Sequence, residues 1–169
     1  GARVIGGAAA RRARCASRGI ATRALIVLDA YAVIAFLLGE RAAAEVGELL
    51  RSDESVAMTA LGVAEVVDRL VRGAGLDADE VMLDLAELGL ADAPDVEATL
   101  MVRAGLLRAR RYHRRTCSVS LADCVVVESA RARDATVASS DPHLLDVCRL
   151  EGVVAIVLPD TAGNRWTPS

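Results

Sequence analysis

The chain contains no lysine, so all 20 of the basic residues among its 169 are arginines. P-loop NTPases need a lysine on the β- and γ-phosphates of the nucleotide, and phosphate-handling folds of the aspartyl-phosphate kind generally rely on one as well. The sequence also has no G-x-G-x-x-G turn, the feature that cradles a dinucleotide. These absences argue against a P-loop NTPase, a phosphate-handling fold of the aspartyl-phosphate kind and a dinucleotide-binding fold.

Aromatic residues make up only 2% of the chain, so a core must be built from alanine, valine and leucine. No apolar run approaches the roughly 18 residues that a membrane crossing needs. The four cysteines form no C-x-x-C pair and have no histidine at zinc spacing, which favours small buried thiols in a reducing compartment. They are Cys15, Cys117, Cys124 and Cys148. We therefore expect a cytoplasmic protein without disulfides.

The net charge of −3 hides a strong asymmetry along the chain. Residues 1–23 hold six arginines and no acidic residue, without helical or strand periodicity, and are predicted to be a disordered basic extension. Residues 24–169 hold the other 14 arginines against all 23 acidic residues and are predicted to form one domain. An acidic body is unusual for a protein that coats nucleic-acid phosphates, and it suits one that holds cations.

Short apolar runs alternate with helical patterns along residues 24–169. This alternation predicts an α/β fold, in which a central, mostly parallel sheet of four to five strands has helices on both faces. The predicted strands are 24–28, 55–58, 136–138 and 153–157, with a further short one at 90–92. The predicted helices are 30–38, 41–51, 60–72, 76–88, 95–115, 120–133 and 141–150.

Four acidic residues fall where such a fold binds its ligands, outside the carboxyl ends of the strands. Asp29 follows a predicted strand directly, and Asp141 comes three residues after another. Glu65 comes early in the helix after the second strand, and Asp123 lies one turn inside a helix start. Two carboxylates 4 Å apart repel by about 4 kcal/mol at a near-surface dielectric. Mg²⁺ or Mn²⁺ would relieve that repulsion, and the bound ion would activate water for phosphodiester hydrolysis.

Each of these residues also has a structural interpretation. Asp29 and Asp141 suit helix N-caps, and Pro142 strengthens that reading for the second of them. Asp123 forms a capping-box pattern with Ser120. Glu65 fits the solvated face of a helix. Capping and metal binding are compatible, so these interpretations do not exclude a site.

Four short blocks carry these acids, namely residues 27–33 (VLDAYAV), 60–66 (ALGVAEV), 120–124 (SLADC) and 138–144 (ASSDPHL). In this order and approximate spacing they resemble the PIN domain of the VapC toxin type, over about residues 25–158. The resemblance implies a three-layer α/β/α PIN-like fold and cleavage of RNA that depends on Mg²⁺ or Mn²⁺. It also implies a VapB-like antitoxin that blocks the site, and a toxin homodimer.

The resemblance further implies roles for individual residues. The catalytic and metal-binding acids are Asp29, Glu65, Asp123 and Asp141, and Ser139 is a supporting hydroxyl beside Asp141. Tyr31 stands where family members often have serine or threonine. This departure leaves open a second hypothesis, a PIN-fold scaffold with weakened catalysis, and a DNA nuclease on the same fold is a third.

The densest positive run of the body surrounds Tyr112 and His113. Its arginines are candidate RNA-binding residues, with Tyr112 as a stacking face. The alternative is a helix C-terminus lined with cations that the helix dipole favours. The residues are Arg108, Arg110, Arg111, Arg114 and Arg115.

Overall fold

The computed structural model of the protein describes residues 24–93 and 96–168. Four strands are present among them: β1 Leu25–Leu28, β2 Ser55–Ala57, β3 Thr136–Ser139 and β4 Ala155–Val157. The helices are α1 Ala30–Leu37, α2 Ala43–Arg51, α3 Ala60–Asp68, α4 Ala78–Glu87, α5 Ala98–Arg111, α6 Leu121–Arg133 and α7 Pro142–Glu151. A π-helical segment, Arg69–Gly73, continues α3.

The four strands form one sheet in the order β2-β1-β3-β4, and each neighbouring pair is parallel. Val27 of β1 lies opposite Ala57 of β2 on one side and Val137 of β3 on the other. The predicted α/β fold with a parallel sheet is therefore confirmed, with four strands over the described residues.

Both faces of the sheet are buried, because successive side chains along a strand point to opposite sides. Ile26 and Leu28 pack with helices α1 to α4, whereas Val27 packs with α5 to α7. These side chains are at most 1% exposed, and burial of each contributes roughly 1.5–3 kcal/mol. Helices on both faces give the predicted three layers, and all parallel strand ends point to the same edge.

The short strand predicted at residues 90–92 was wrong. Gly89 takes a left-handed conformation (φ 69°), and the chain then turns back on the end of α4. The N–H groups of Leu90 and Ala91 both donate to the carbonyl of Leu85, at 2.8 and 3.1 Å. Leu90 is buried by this helix-ending turn, which explains an apolar pattern that resembled a strand.

The helix predicted at 95–115 is shorter than expected. Its predicted first residue lies outside the described residues, and the observed α5 ends at Arg111. Tyr112 adopts an extended conformation, and backbone hydrogen bonds between His113 and Cys117 close a tight turn. Arg114 and Arg115 therefore belong to this turn rather than to the helix.

The remaining predictions about the chain concern its extension and its thiols. The basic extension predicted at residues 1–23 lies outside the described residues, and so does Cys15. Cys124 and Cys148 are buried free thiols, and Cys117 is a half-buried one. Across the described part of the chain, no helix combines the length and apolar character needed to cross a membrane.

Candidate active site

Asp29 and Asp141 are held at the same edge of the sheet by two neighbouring strands. Asp29 follows β1, and its side chain caps α1 by accepting a hydrogen bond from the N–H of Ala30 at 2.7 Å. Asp141 comes two residues after β3 and caps α7, accepting from the N–H groups of His143 and Leu144 at 2.7 and 3.0 Å. Since β1 and β3 are parallel neighbours, the two carboxylates come close together.

Asp123 and Glu65 reach this edge from helices. Asp123 forms the predicted capping box with Ser120, because its carboxylate accepts from the Ser120 N–H at 2.7 Å and its own N–H donates to the Ser120 hydroxyl at 3.0 Å. Glu65 lies on α3, whose first turn is capped by Thr59. One Glu65 oxygen, Oε1, lies 3.4 Å from the guanidinium of Arg69.

All four predicted acids line one cavity of about 580 Å³. Two further carboxylates, Glu40 and Asp160, line it as well, and the cation in its lining, over the residues that the structure describes, is Arg69. The complete lining is Asp29, Tyr31, Ile34, Leu38, Glu40, Glu65, Arg69, Gly73, Ala74, Asp123, Ser140, Asp141, Pro142, Asp160 and Thr161.

Burial and crowding of like charges change the acidity of this site. The pKa of Asp29 rises from its usual 3.8 to about 7, first because the side chain is buried and then because Asp123 and Asp141 are close. Hydrogen bonds from Ser139 and Ala30 oppose the rise. Burial also raises the pKa of Asp123. The site therefore favours a bound proton or a cation among these carboxylates.

Ser139 forms hydrogen bonds with both Asp29 and Asp141. Its fully buried hydroxyl donates to Oδ2 of Asp29 at 2.8 Å and accepts from the backbone N–H of Asp141 at 3.0 Å. Ser139 was predicted to support Asp141, whereas nothing in the sequence predicted its hydrogen bond to Asp29. This link fixes the orientation of the most buried carboxylate.

The donor set fits a hard divalent cation, although a complete ligand cage is not assembled. Carboxylate oxygens are the ligands that Mg²⁺ and Mn²⁺ prefer. Burial and the nearby acids raise the pKa of Asp29, and a cation bound beside it would favour its charged form. Within the described residues, however, no three histidine, cysteine or acidic side chains are grouped closely enough to hold a metal ion.

The family model of the PIN domain matches residues 26–150. The chain belongs to the PIN domain family. The matched region contains Asp29, Glu65, Asp123 and Asp141, and it ends before the cavity residues Asp160 and Thr161. A comparison with curated proteins gave no match.

Two solved structures resemble this PIN domain in fold. The first is VapBC2 from Rickettsia felis bound to a DNA fragment from their promoter, with 16% identity, a TM-score of 0.57, and coverage of 78% of this chain and 97% of the other. The second is FitAcB from Neisseria gonorrhoeae, with 21% identity, a TM-score of 0.50, and coverage of 77% and 95%. At these identities the likeness supports the fold.

Tyr31 occupies a wall of the cavity. Its hydroxyl donates to the carbonyl of Pro159 at 3.3 Å, and burial raises its pKa. This contact joins α1 to the segment after β4, so the phenol of this PIN domain braces the cavity wall. Tyr31, the departure noted in the sequence, thus has a structural contact here.

The arginine run around Tyr112 lies away from this cavity, whose lining over the described residues includes none of its five members. Arg108 donates to the carbonyl of Val119 at 3.2 Å, and its guanidinium lies 4.4 Å from the centre of the Tyr112 ring. Arg111 pairs with Glu151 at 2.7 Å, and Arg110 lies 3.9 Å from the same carboxylate. Arg114 and Arg115 are exposed in the turn after α5.

Three charged residues of the cavity were not singled out from the sequence. Asp160 had a usable signal, because it comes shortly after β4 just as Asp29 and Asp141 follow β1 and β3. Its carboxylate accepts from the N–H groups of Ala162 and Asn164 at 2.9 and 2.7 Å, and these bonds lower its pKa. Arg69 had a weaker signal, because it lies four residues after Glu65 and so shares its helix face. No local pattern pointed to Glu40, which tertiary packing brings to the cavity.

Proposed function

We propose that this PIN domain is an endoribonuclease toxin of a VapBC-type toxin–antitoxin pair, dependent on Mg²⁺ or Mn²⁺. The observation that carries the proposal is the convergence of Asp29, Glu65, Asp123 and Asp141 on one cavity. These residues come from four separate segments, and burial, together with the nearby carboxylates of Asp123 and Asp141, raises the pKa of Asp29 to about 7. Strongly perturbed pKa values in a cleft are characteristic of functional sites.

The chain's own residues would divide the work as follows. Asp29, Asp123, Asp141 and Glu65 would hold the divalent ion, and Ser139 would keep Asp29 oriented through its 2.8 Å hydrogen bond. The ion, when bound, polarises a phosphoryl oxygen and makes water a stronger nucleophile. Asp29 would lose its proton as the ion binds, since an adjacent positive charge favours the carboxylate.

The family and the fold likeness to VapBC2, a structure that includes a promoter DNA fragment, support the partners that we propose. We propose a VapB-like antitoxin that covers the cavity, an RNA substrate and a homodimer of the toxin. We expect the pair to act in the cytoplasm, and the products of cleavage to end in 5′-phosphate and 3′-hydroxyl.

Cleavage of RNA by purified protein tests the proposal, with Asp29→Asn as the decisive variant. We expect cleavage in Mg²⁺ or Mn²⁺, none in EDTA, and at least about a hundredfold loss in the variant, comparable to losing a key group that stabilises the transition state. Asp68→Asn is the matched control, because Asp68 is exposed and pairs with Arg72. Full activity of Asp29→Asn, free of contaminating nuclease, would overturn the proposal.

The scaffold hypothesis keeps one observation in its favour, namely that no ready-made group of three ligands exists among the described residues. Calorimetric titration with Mn²⁺ separates the two, because a scaffold is expected to bind none. Digestion of RNA and single-stranded DNA side by side decides between an RNA and a DNA nuclease.

A further inference from the structure

The negative charge of the cavity is unfavourable for binding a nucleic acid, which is itself negatively charged. Six carboxylates line it, and a phosphodiester strand carries one negative charge per nucleotide. Like charges in a partly desolvated site repel strongly, so a strand needs positive charge on the cavity wall. In the described part of the lining, the side chain that supplies it is Arg69.

The guanidinium of Arg69 makes only a weak contact with its neighbour Glu65. The side chain is 62% exposed, and its contact with Glu65 is 3.4 Å long, whereas a strong charge-assisted hydrogen bond measures about 2.7–2.9 Å. Exposed pairs of this kind contribute little to stability. Exchange of Glu65 for another anion would therefore cost little.

Arg72, one turn further on, is an arginine that is fully engaged in hydrogen bonds with its partner. It forms two hydrogen bonds with Asp68, at 2.8 and 2.7 Å, through the same spacing of four residues. It is also exposed, but it does not belong to the cavity lining. The two arginines differ in their partners and in their access to the cavity rather than in their general surroundings.

The backbone beside Arg69 is open towards the cavity, where a nucleic-acid strand would lie. Arg69 is the first residue of the π-helical segment, and its carbonyl accepts from the N–H of Ala74. π-helical turns are rare and often mark functional sites. Gly73 and Ala74, at the end of this segment, line the cavity, and a Cβ added at Gly73 would have no atom within 4 Å.

We propose that Arg69 is a substrate-binding residue that leaves Glu65 to bind a phosphate of the single-stranded nucleic acid entering the cavity. The exchange also releases Oε1 of Glu65, so that the carboxylate becomes available to a cation as the strand arrives. The inference rests on the proposed function, because it assumes a nucleic-acid strand in this cavity. In this role Arg69 recognises the sugar–phosphate backbone of the nucleic acid and not its base sequence.

Binding without cleavage tests the assignment. The full chain with Asp29→Asn is titrated against a fluorescent single-stranded oligouridylate in Mg²⁺ over a series of salt concentrations. Adding Arg69→Gln is expected to weaken binding several-fold and to reduce the slope of log K against log salt by about 0.7, the value for one phosphate contact on a single strand. Arg72→Gln, the matched control, is expected to leave both unchanged, and Arg69→Lys to restore the slope.

The same substitutions in the chain with an intact Asp29 give an independent measurement. Arg69→Gln is expected to raise KM for RNA several-fold with a smaller effect on kcat, whereas a general structural defect would lower kcat and thermal stability together. Should Arg69→Gln fail to fold, Arg69→Met, which keeps the aliphatic stem, takes its place in the comparison.

The possible failures are distinguishable. If the unsubstituted protein neither binds nor cleaves RNA, the proposed function falls and this inference with it. If that protein cleaves RNA but Arg69→Gln and Arg72→Gln give the same salt slope and the same KM, the inference about Arg69 alone is overturned.

Discussion

At the scale of the single residue, two hydrogen bonds favour the charged form of Asp29, whereas burial and two neighbouring acids oppose it. Asp29 caps α1, it accepts the hydroxyl of Ser139, and it carries a charge that burial and two neighbouring acids disfavour. Because its pKa rises in the folded state, the folded protein keeps a proton that the unfolded chain has released. Asp29 thus contributes most to stability at low pH, and that contribution is lost as pH rises from about 4 to about 7.

This reasoning predicts that Asp29→Asn is more stable than the unsubstituted protein at pH 8 in EDTA. The variant removes the buried charge, and a pKa raised from 3.8 to about 7 corresponds to a gain on the order of 4 kcal/mol. At pH 4 the two proteins should be nearly equal, because Asp29 is then protonated. Urea unfolding at both pH values measures the difference. A variant that is less stable at pH 8 would contradict the buried-charge argument.

The positions of the acids could be predicted residue by residue, but their surroundings could not. Asp29, Asp123 and Asp141 were predictable because a strand end or a capping pattern fixes each of them locally. Ser139 was found through its neighbour in sequence, yet its hydrogen bond to Asp29 joins residues 110 positions apart. Such contacts depend on the order of the strands, which periodicity alone does not specify.

At the scale of the helix and strand, local patterns succeeded wherever an element is buried on a regular face. The four strands and most helices begin and end within a few residues of the predicted positions. The pattern failed at 90–92, where a left-handed glycine makes an apolar residue fold back on α4. It also overextended α5, because arginines after Arg111 suit a helix end whether or not the helix continues.

Helices α5, α6 and α7 are joined by ionic contacts that give the arginine run a structural role. Glu151 of α7 contacts Arg111 of α5 and Arg131 of α6 at 2.7 and 3.1 Å, and its side chain is only 9% exposed. Glu128, also buried, contacts Arg131 and Arg103. At least part of the run is therefore engaged in holding helices together.

This cluster predicts that Glu151→Gln destabilises the fold without changing the chemistry. Loss of the charge-assisted bonds to two arginines should lower the free energy of unfolding by about 1–3 kcal/mol, while the partly exposed arginines turn to water. RNA cleavage below the melting temperature should remain unchanged, since Glu151 does not line the cavity. Thermal melts and cleavage rates measured side by side provide the test. Selective loss of cleavage at unchanged stability would instead link this cluster to the substrate.

At the scale of the whole molecule, the sheet gathers negative charge at one edge and leaves it without an equal positive charge in the cavity. A divalent ion that binds the folded state and not the unfolded chain must then stabilise the protein. The gain is about 2.7 kcal/mol when the free ion exceeds its Kd a hundredfold. The ion would also cancel the cost that Asp29 imposes near neutral pH, so its effect should grow from pH 5 to pH 8 as Asp29 loses its proton.

We therefore predict that Mn²⁺ raises the melting temperature of the unsubstituted protein by several degrees, and much less for Asp29→Asn. For a domain of about 150 residues, 2–3 kcal/mol corresponds to a shift of roughly 5–10 °C. Asp68→Asn, which changes an exposed acid outside the cavity, should respond like the unsubstituted protein. An equal response in all three would mean that Mn²⁺ acts on the surface in general. In that case the four converging carboxylates would repel one another in the folded protein without a cation to bind, and the case for hydrolysis at this edge would lose its physical basis.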